Sequence, residues 1–216
     1  MTRITVLGGT GYAGSAVVRE ALSRGHTVTS FSRSLPERDT RVKGVTYKTG
    51  SLLDPDVRDR AVEGADVIVS TLSPRGELDG RIVEVDSALA DLAAQHGVRL
   101  VVVGGFSSLR IEAGGPRMAE GDDIPPQFAS EARQMNEVLS VLLAAPEPLD
   151  WVFFSPAAQF GSYVPGDALG RYRLGGDVAF YDEAGVSAIS GADFALAIID
   201  EIERGDHRRV QVSAAY

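Results

Sequence analysis

The chemistry of this chain starts at its glycines. Between the apolar run Ile4-Thr5-Val6-Leu7 and a stretch of helical periodicity lies Gly8-Gly9-Thr10-Gly11-Tyr12-Ala13-Gly14. The run reads both as Gly9-x-Gly11-x-x-Gly14 and as Gly8-x-x-Gly11-x-x-Gly14. Glycine at such spacing permits positive φ in a tight turn, lets an anion approach the backbone without meeting a Cβ, and lets a helix pack closely on its strand. The first helical turn then offers unpaired N–H groups and a partial positive charge. In a strand–turn–helix context, this predicts a cradle for the pyrophosphate of a dinucleotide, with Gly8, Thr10, Gly11, Tyr12, Ala13 and Gly14 as its contacts.

The end of the second strand decides which dinucleotide. An NAD site would carry Asp or Glu there for the ribose hydroxyls, whereas this chain has Phe31-Ser32-Arg33-Ser34. A guanidinium with Ser32 and Ser34 beside it suits a 2′-phosphate, so Arg33 predicts NADP(H) as the preferred cofactor, with NAD(H) possible. Arg38, Arg41 and Lys43 follow, outnumbering Glu37 and Asp39. Ser51 and Leu52, after the third strand, are placed to border the adenine. Thr71, Leu72 and Ser73, after the fourth, should run beneath the cofactor.

Composition narrows the classes. A net charge of −9 argues against nucleic acid as a partner. With no cysteine, disulfides, iron–sulfur clusters, thiolate zinc sites and a thiol nucleophile are excluded. His26, His96 and His207 lack metal-ligand spacing, and no metal is expected. No signal-like or bilayer-spanning run is visible, so a cytoplasmic protein without membrane contact is expected.

The elements that must position these residues follow from the alternation of apolar runs and helical stretches, the pattern of βαβ units. Strands are expected near 3–8, 26–32, 44–48, 66–71, 98–104 and 149–154. Their continuous apolar character, as in Leu100-Val101-Val102-Val103, suits burial on both faces. Helices are expected at about 12–24, 80–96, 128–145 and 191–204. The fold class is therefore α/β, a doubly wound Rossmann-type parallel sheet. Residues 1–216 form a single NAD(P)-binding domain, with a core over 1–155 and an irregular substrate-side lobe over 156–216. The irregular stretches 105–127 and 155–190 follow strands five and six, at the edge where such sheets bind ligands.

Four segments carry a family resemblance: the Gly8–Gly14 turn, Val102-Val103-Gly104-Gly105-Phe106-Ser107-Ser108-Leu109, Phe154-Ser155-Pro156-Ala157, and Ile189-Ser190-Gly191-Ala192-Asp193-Phe194-Ala195. Together they resemble the atypical short-chain dehydrogenase/reductases, in the group of biliverdin-reductase-B-like and NADH-flavin-reductase-like proteins and of NmrA-like proteins. The resemblance implies that Ser107 or Ser108 faces the nicotinamide and substrate. It also implies that Gly104, Pro156 and Ala157 lie beside the nicotinamide. Asp193 reads as a helix-start residue, and Tyr163 or Tyr172 could close over a substrate.

The departure from the family is chemical. The superfamily's usual Tyr-x-x-x-Lys pair, in which lysine lowers the tyrosine pKa, cannot be built, because the only lysines are Lys43 and Lys48 and neither follows a tyrosine by four residues. Where the pair is expected, the chain reads Phe128-Ala129-Ser130-Glu131-Ala132-Arg133-Gln134. The expectation is an NAD(P)H-dependent reductase, monomeric or homodimeric, that passes hydride to a small conjugated acceptor such as a flavin or quinone. The alternatives are a non-catalytic NADP(H) sensor of the NmrA-like type and, less favoured, an epimerase or dehydratase.

Overall fold

The unbroken apolar runs become the inner strands of one sheet in the computed structural model, which describes residues 1–216. β1 (Arg3–Leu7), β2 (Thr27–Ser32), β3 (Thr46–Thr49), β4 (Val67–Ser70), β5 (Arg99–Val103) and β6 (Trp151–Pro156) are parallel. The order across the sheet is β3-β2-β1-β4-β5-β6-β8-β7. β8 (Val210–Ala215) continues parallel beside β6, and β7 (Arg173–Gly175) closes that edge antiparallel. The order reverses direction between β1 and β4, which opens a crevice at their carboxyl ends. Pairing of Leu7 with both Phe31 and Ser70, and of Ser70 with Val102, sets those ends level.

Side-chain alternation feeds two cores. Val6, Val69, Val101 and Phe154 face α1 (Tyr12–Ser23) and α5 (Gly191–Arg204), while Leu7, Ile68, Val102 and Phe153 face α2 (Pro55–Val62), α3 (Ile82–His96) and α4 (Pro126–Ala144). Both faces are covered, which is why the strand sequences are continuously apolar. Across the first face, Arg24 at the end of α1 binds Glu20, Asp200 and Glu203, tying α1 to α5. Behind α5, the buried Glu201 holds Arg99 at 2.7 Å and His207 Nδ1 at 2.6 Å. Burial alone would raise the Glu201 carboxyl, but these partners hold it below the ordinary range.

Three elements were not anticipated. α2 is mostly charged and buries only Val57, Ala61 and Val62; its start is set by Asp54, whose carboxylate accepts the Asp56 N–H at 3.0 Å. β8 carries Gln211 and Ser213 at buried positions, which breaks the apolar signature, and β7 is three residues long. α4 starts at Pro126, two residues earlier than expected, with proline in its first turn. The 156–216 lobe is also smaller than expected. Phe194, Ile198, Ile199 and Val212 join the main core, so α5 covers one face of the sheet, β8 extends it, and the irregular part lies mainly between β6 and α5.

Beneath the crevice lies a buried carboxyl. Asp86 on α3 is 2% exposed and accepts the Ser70 hydroxyl at 3.0 Å, while its Oδ2 has no partner. Burial pushes this carboxyl up to about 7, against a smaller opposing effect of Ser70. Between about pH 4 and pH 7 the folded state therefore holds a proton that the unfolded state has released, and stability falls as pH rises through that window. Asp86→Asn keeps an acceptor for Ser70 and removes this dependence. The variant should match the parent at pH 4 and exceed it above pH 7, by on the order of a few kcal/mol, in denaturant melts run across that range. An equal offset at both ends would contradict the assignment.

Candidate functional site

The crevice is built on the turn between β1 and α1. Gly8 has φ +78° and donates its N–H to the Phe31 carbonyl at 2.9 Å, while its own carbonyl accepts the Gly11 N–H at 2.9 Å. A Cβ on Gly14 would run into that same Gly8 carbonyl and lie 2.6 Å from Thr71 Oγ1, and one on Gly9 would strike Ser30. These glycines are fixed by the packing of the protein against itself. Gly11 differs. A Cβ there would meet nothing closer than the Gly8 carbonyl at 3.3 Å, and Gly11 lines a cleft of about 270 Å³.

The same cleft takes in many of the residues expected from the sequence. Gly8, Thr10 and Gly11 line it from the turn, Ser32 and Arg33 from the end of β2, Leu52 from beyond β3, and Thr71, Leu72 and Ser73 from beyond β4. Ser34 and Ser51 do not. Ser34 is exposed and its carbonyl accepts the Ser32 hydroxyl at 2.7 Å, while Ser51 Oγ accepts the Leu53 N–H at 3.3 Å. Arg75 and Glu77 line the cleft and were missed by sequence reasoning. They follow β4 in a loop whose path no motif announces, and Arg75 is held toward α4 by Glu131 at 2.8 Å.

The cleft fits a dinucleotide phosphate on three counts. Its wall at Gly11 is bare of side chain. No side chain caps the start of α1, so the N–H groups of its first turn remain to be satisfied. Arg33, with its guanidinium beside Gly76, takes part in no ion pair, nor do Arg38, Arg41 and Lys43. In a chain of net charge −9, the unpaired Arg33 guanidinium on the wall of the cleft is a receptor for anions.

The ends of β5 and β6 continue the same carboxyl edge of the sheet. Phe106–Ser108 make a 3₁₀ turn that separates the two serines. Ser107 is half-buried, whereas Ser108 is fully buried and its hydroxyl has no partner. Ser108 is thus sealed from solvent, and neither serine lines the cleft at the glycine turn. Gly104 is required by packing, since a Cβ there would enter the Phe153 ring. Pro156 and Ala157 end β6, buried, outside the cleft lined by the glycine turn.

The chain between β6 and α5 is fastened to the glycine turn. Tyr12 donates its hydroxyl to the Pro165 carbonyl at 2.8 Å and accepts the Gly191 N–H at 2.8 Å, with its ring edge-on to Phe160. The Tyr12 side chain thus serves this segment rather than a ligand. Asp193 caps the same region as a helix-start residue: it accepts from Leu169, Gly170, Ser190 and Tyr216. Of the two tyrosines expected near a substrate, Tyr163 is 72% exposed. Tyr172 instead donates to Asp200 of α5, and burial together with that carboxylate pushes its phenol up to about 12. Such a phenol does not exchange protons near neutral pH.

Replacement of Gly11 and Gly9 should separate site from scaffold. Gly11→Val places a side chain in the cleft and should abolish measurable NADPH binding by fluorescence titration while the circular dichroism melt stays near the parent's. Gly9→Ala should destabilise the fold by about 1–3 kcal/mol of overpacking, seen as a lower melting temperature. A Gly11→Val protein that binds NADPH with parental affinity would remove the glycine turn from the cofactor site.

Comparison with known proteins agrees with this geometry. Residues 8–203 match the model of a family described as NAD(P)H-binding. A solved protein from Burkholderia pseudomallei, provisionally named an exported protein, is 36% identical over the whole of both chains, with a TM-score of 0.86. One from Streptococcus pneumoniae, provisionally named an NADH-flavin reductase, is 28% identical, covers 100% of this chain and 99% of its own, and has a TM-score of 0.87. One from Bacteroides thetaiotaomicron, provisionally named an epimerase, is 33% identical, with coverage of 100% and 97% and a TM-score of 0.87. In this chain no helix is long and apolar enough to cross a membrane. With its glycine turn, its strand order and a family match over nearly its whole length, the chain belongs to the family described as NAD(P)H-binding.

Proposed function

We propose that the protein is an NADP(H)-dependent reductase that passes hydride to a flavin, quinone or similar conjugated acceptor. The observation that carries this reading is the contrast between the two halves of the sheet's carboxyl edge. One half offers a bare glycine wall and the free guanidinium of Arg33; the other offers the half-buried Ser107 and no tyrosine–lysine pair. Gly8, Thr10, Gly11 and the first N–H groups of α1 would hold the pyrophosphate, Arg33 and Ser32 the 2′-phosphate, and Leu52 the adenine. Bound NADPH supplies the hydride. The protein's part is to hold the acceptor against it and to exclude water.

Ser107 would donate a hydrogen bond to an acceptor oxygen as negative charge develops there. Conjugated acceptors delocalise that charge and take their proton from solvent, so no side-chain acid is required. This also weighs against epimerase or dehydratase chemistry, which needs a base at the reacting carbon.

Steady-state NADPH oxidation against flavins, quinones and enones tests the proposal directly. Acceptor-dependent turnover is expected. Its absence with every acceptor, together with a partner protein captured in only one redox state of the cofactor, would replace the reductase by a sensor. Arg33→Asp should weaken NADPH binding roughly 10- to 100-fold, the worth of a charge-assisted hydrogen bond, and leave NADH binding nearly unchanged; equal parental affinities for the two cofactors would refute the 2′-phosphate role. Ser107→Ala should lower kcat about 10- to 1,000-fold at constant NADPH affinity, whereas Ser108→Ala should leave kcat close to the parent's.

A further inference from the structure

Arg117 lies in the loop between β5 and α4, 6% exposed, and takes part in no ion pair. Its Nη1 donates to the Ser108 carbonyl and to Gln211 Oε1. Gln211, 4% exposed on β8, donates through Nε2 to the same Ser108 carbonyl at 3.1 Å and to Ser155 Oγ at 2.8 Å. One buried network therefore joins the turn after β5, the end of β6 and β8. The carboxylates around it are otherwise engaged: Asp177 with Arg110 at 2.9 Å, and Glu120 with the Arg117 backbone N–H at 2.9 Å. Burying a cation without a counter-charge is expensive, and an apolar side chain would close the same space at lower cost.

Resting on the reductase reading above, we propose that Arg117 is a positioning residue for reduction of the acceptor. With Gln211 it pins the Ser108 carbonyl, and so fixes Ser107 relative to Pro156 and Ala157 at the end of β6. The turn it holds is short, closed by the Ser108 N–H on Gly105 at 3.2 Å and the Leu109 N–H on Phe106 at 3.0 Å. Two donors from outside the turn converge on its last carbonyl, and they set its orientation. Hydride transfer is sensitive to displacements of about an ångström, so slack here reaches the chemistry without touching the cofactor's phosphates.

The test uses three variants of the full chain: Arg117→Met, Arg117→Lys and Gln211→Glu. The last removes both Nε2 donations while giving Arg117 a carboxylate. Arg117→Met and Gln211→Glu should each lower kcat tenfold or more, with FMN or a benzoquinone as acceptor, and leave the NADPH dissociation constant within twofold. Arg117→Lys should recover part of the loss. Hydrogen exchange at the Ser108 and Leu109 amides should accelerate in the first two variants while α1 stays protected. Parental kcat in Gln211→Glu, or a loss of rate that only tracks the unfolded fraction, overturns the proposal; Gln211→Glu and Arg117→Lys carry the test if Arg117→Met does not fold. A parent protein that reduces no acceptor refutes the reductase reading itself. Unchanged exchange at Ser108 and Leu109 refutes the pinning, whatever the turnover.

Discussion

The carbonyl oxygen of Gly8 is the point on which the rest of the site is hung. It accepts the Gly11 N–H, and the helix start at Gly14 packs directly upon it. That contact draws α1 against the ends of β1 and β4 so closely that Thr71 can bond Leu7 through both its backbone N–H and its hydroxyl, at 2.9 and 2.7 Å. With α1 so placed, its uncapped first turn points along the crevice rather than away from it. The switch in strand order between β1 and β4 provides the opening, and the Gly8 contact aims the helix into it.

Electrostatics divides the molecule in two. In the layer of α1 and α5, cations are spent on structure: Arg24 gathers three carboxylates, and Arg99 is locked to Glu201. Such pairs tie the helices to one another and to the sheet, and hold the Asp200, Glu201 and Glu203 carboxyls below their ordinary range. Around the outer end of β2 the cations are left free. In an acidic chain, the unpaired guanidinium of Arg33 on the wall of the cleft attracts anions there.

Much of this was legible in the sequence, for physical reasons that also explain the gaps. β1, β4, β5 and β6 announce themselves because both their faces are buried, and the glycine turn because Gly8, Gly9 and Gly14 have no room for a side chain. β8 was hidden because Gln211 and Ser213 are polar residues buried with partners, and their burial depends on groups more than thirty residues away. Ser107 and Ser108 were indistinguishable until the 3₁₀ turn left one half-buried and sealed the other. Arg75 and Glu77 reach the cleft through loop geometry, and the partners of the Tyr12 hydroxyl lie more than 150 residues further along the chain.

The two ends of the sheet carry a last consequence. Its border strands are β3, of four residues, and β7, of three, each bearing a cation, Lys48 and Arg173. Open backbone at a long, flat, apolar border is a template on which a second chain can add and propagate. Here each template is too short and too charged to start that growth, and β7 runs against the direction of the strands it borders. A sheet of eight strands, apolar enough inside to drive aggregation if laid bare, is thus kept from polymerising by seven residues at its margins.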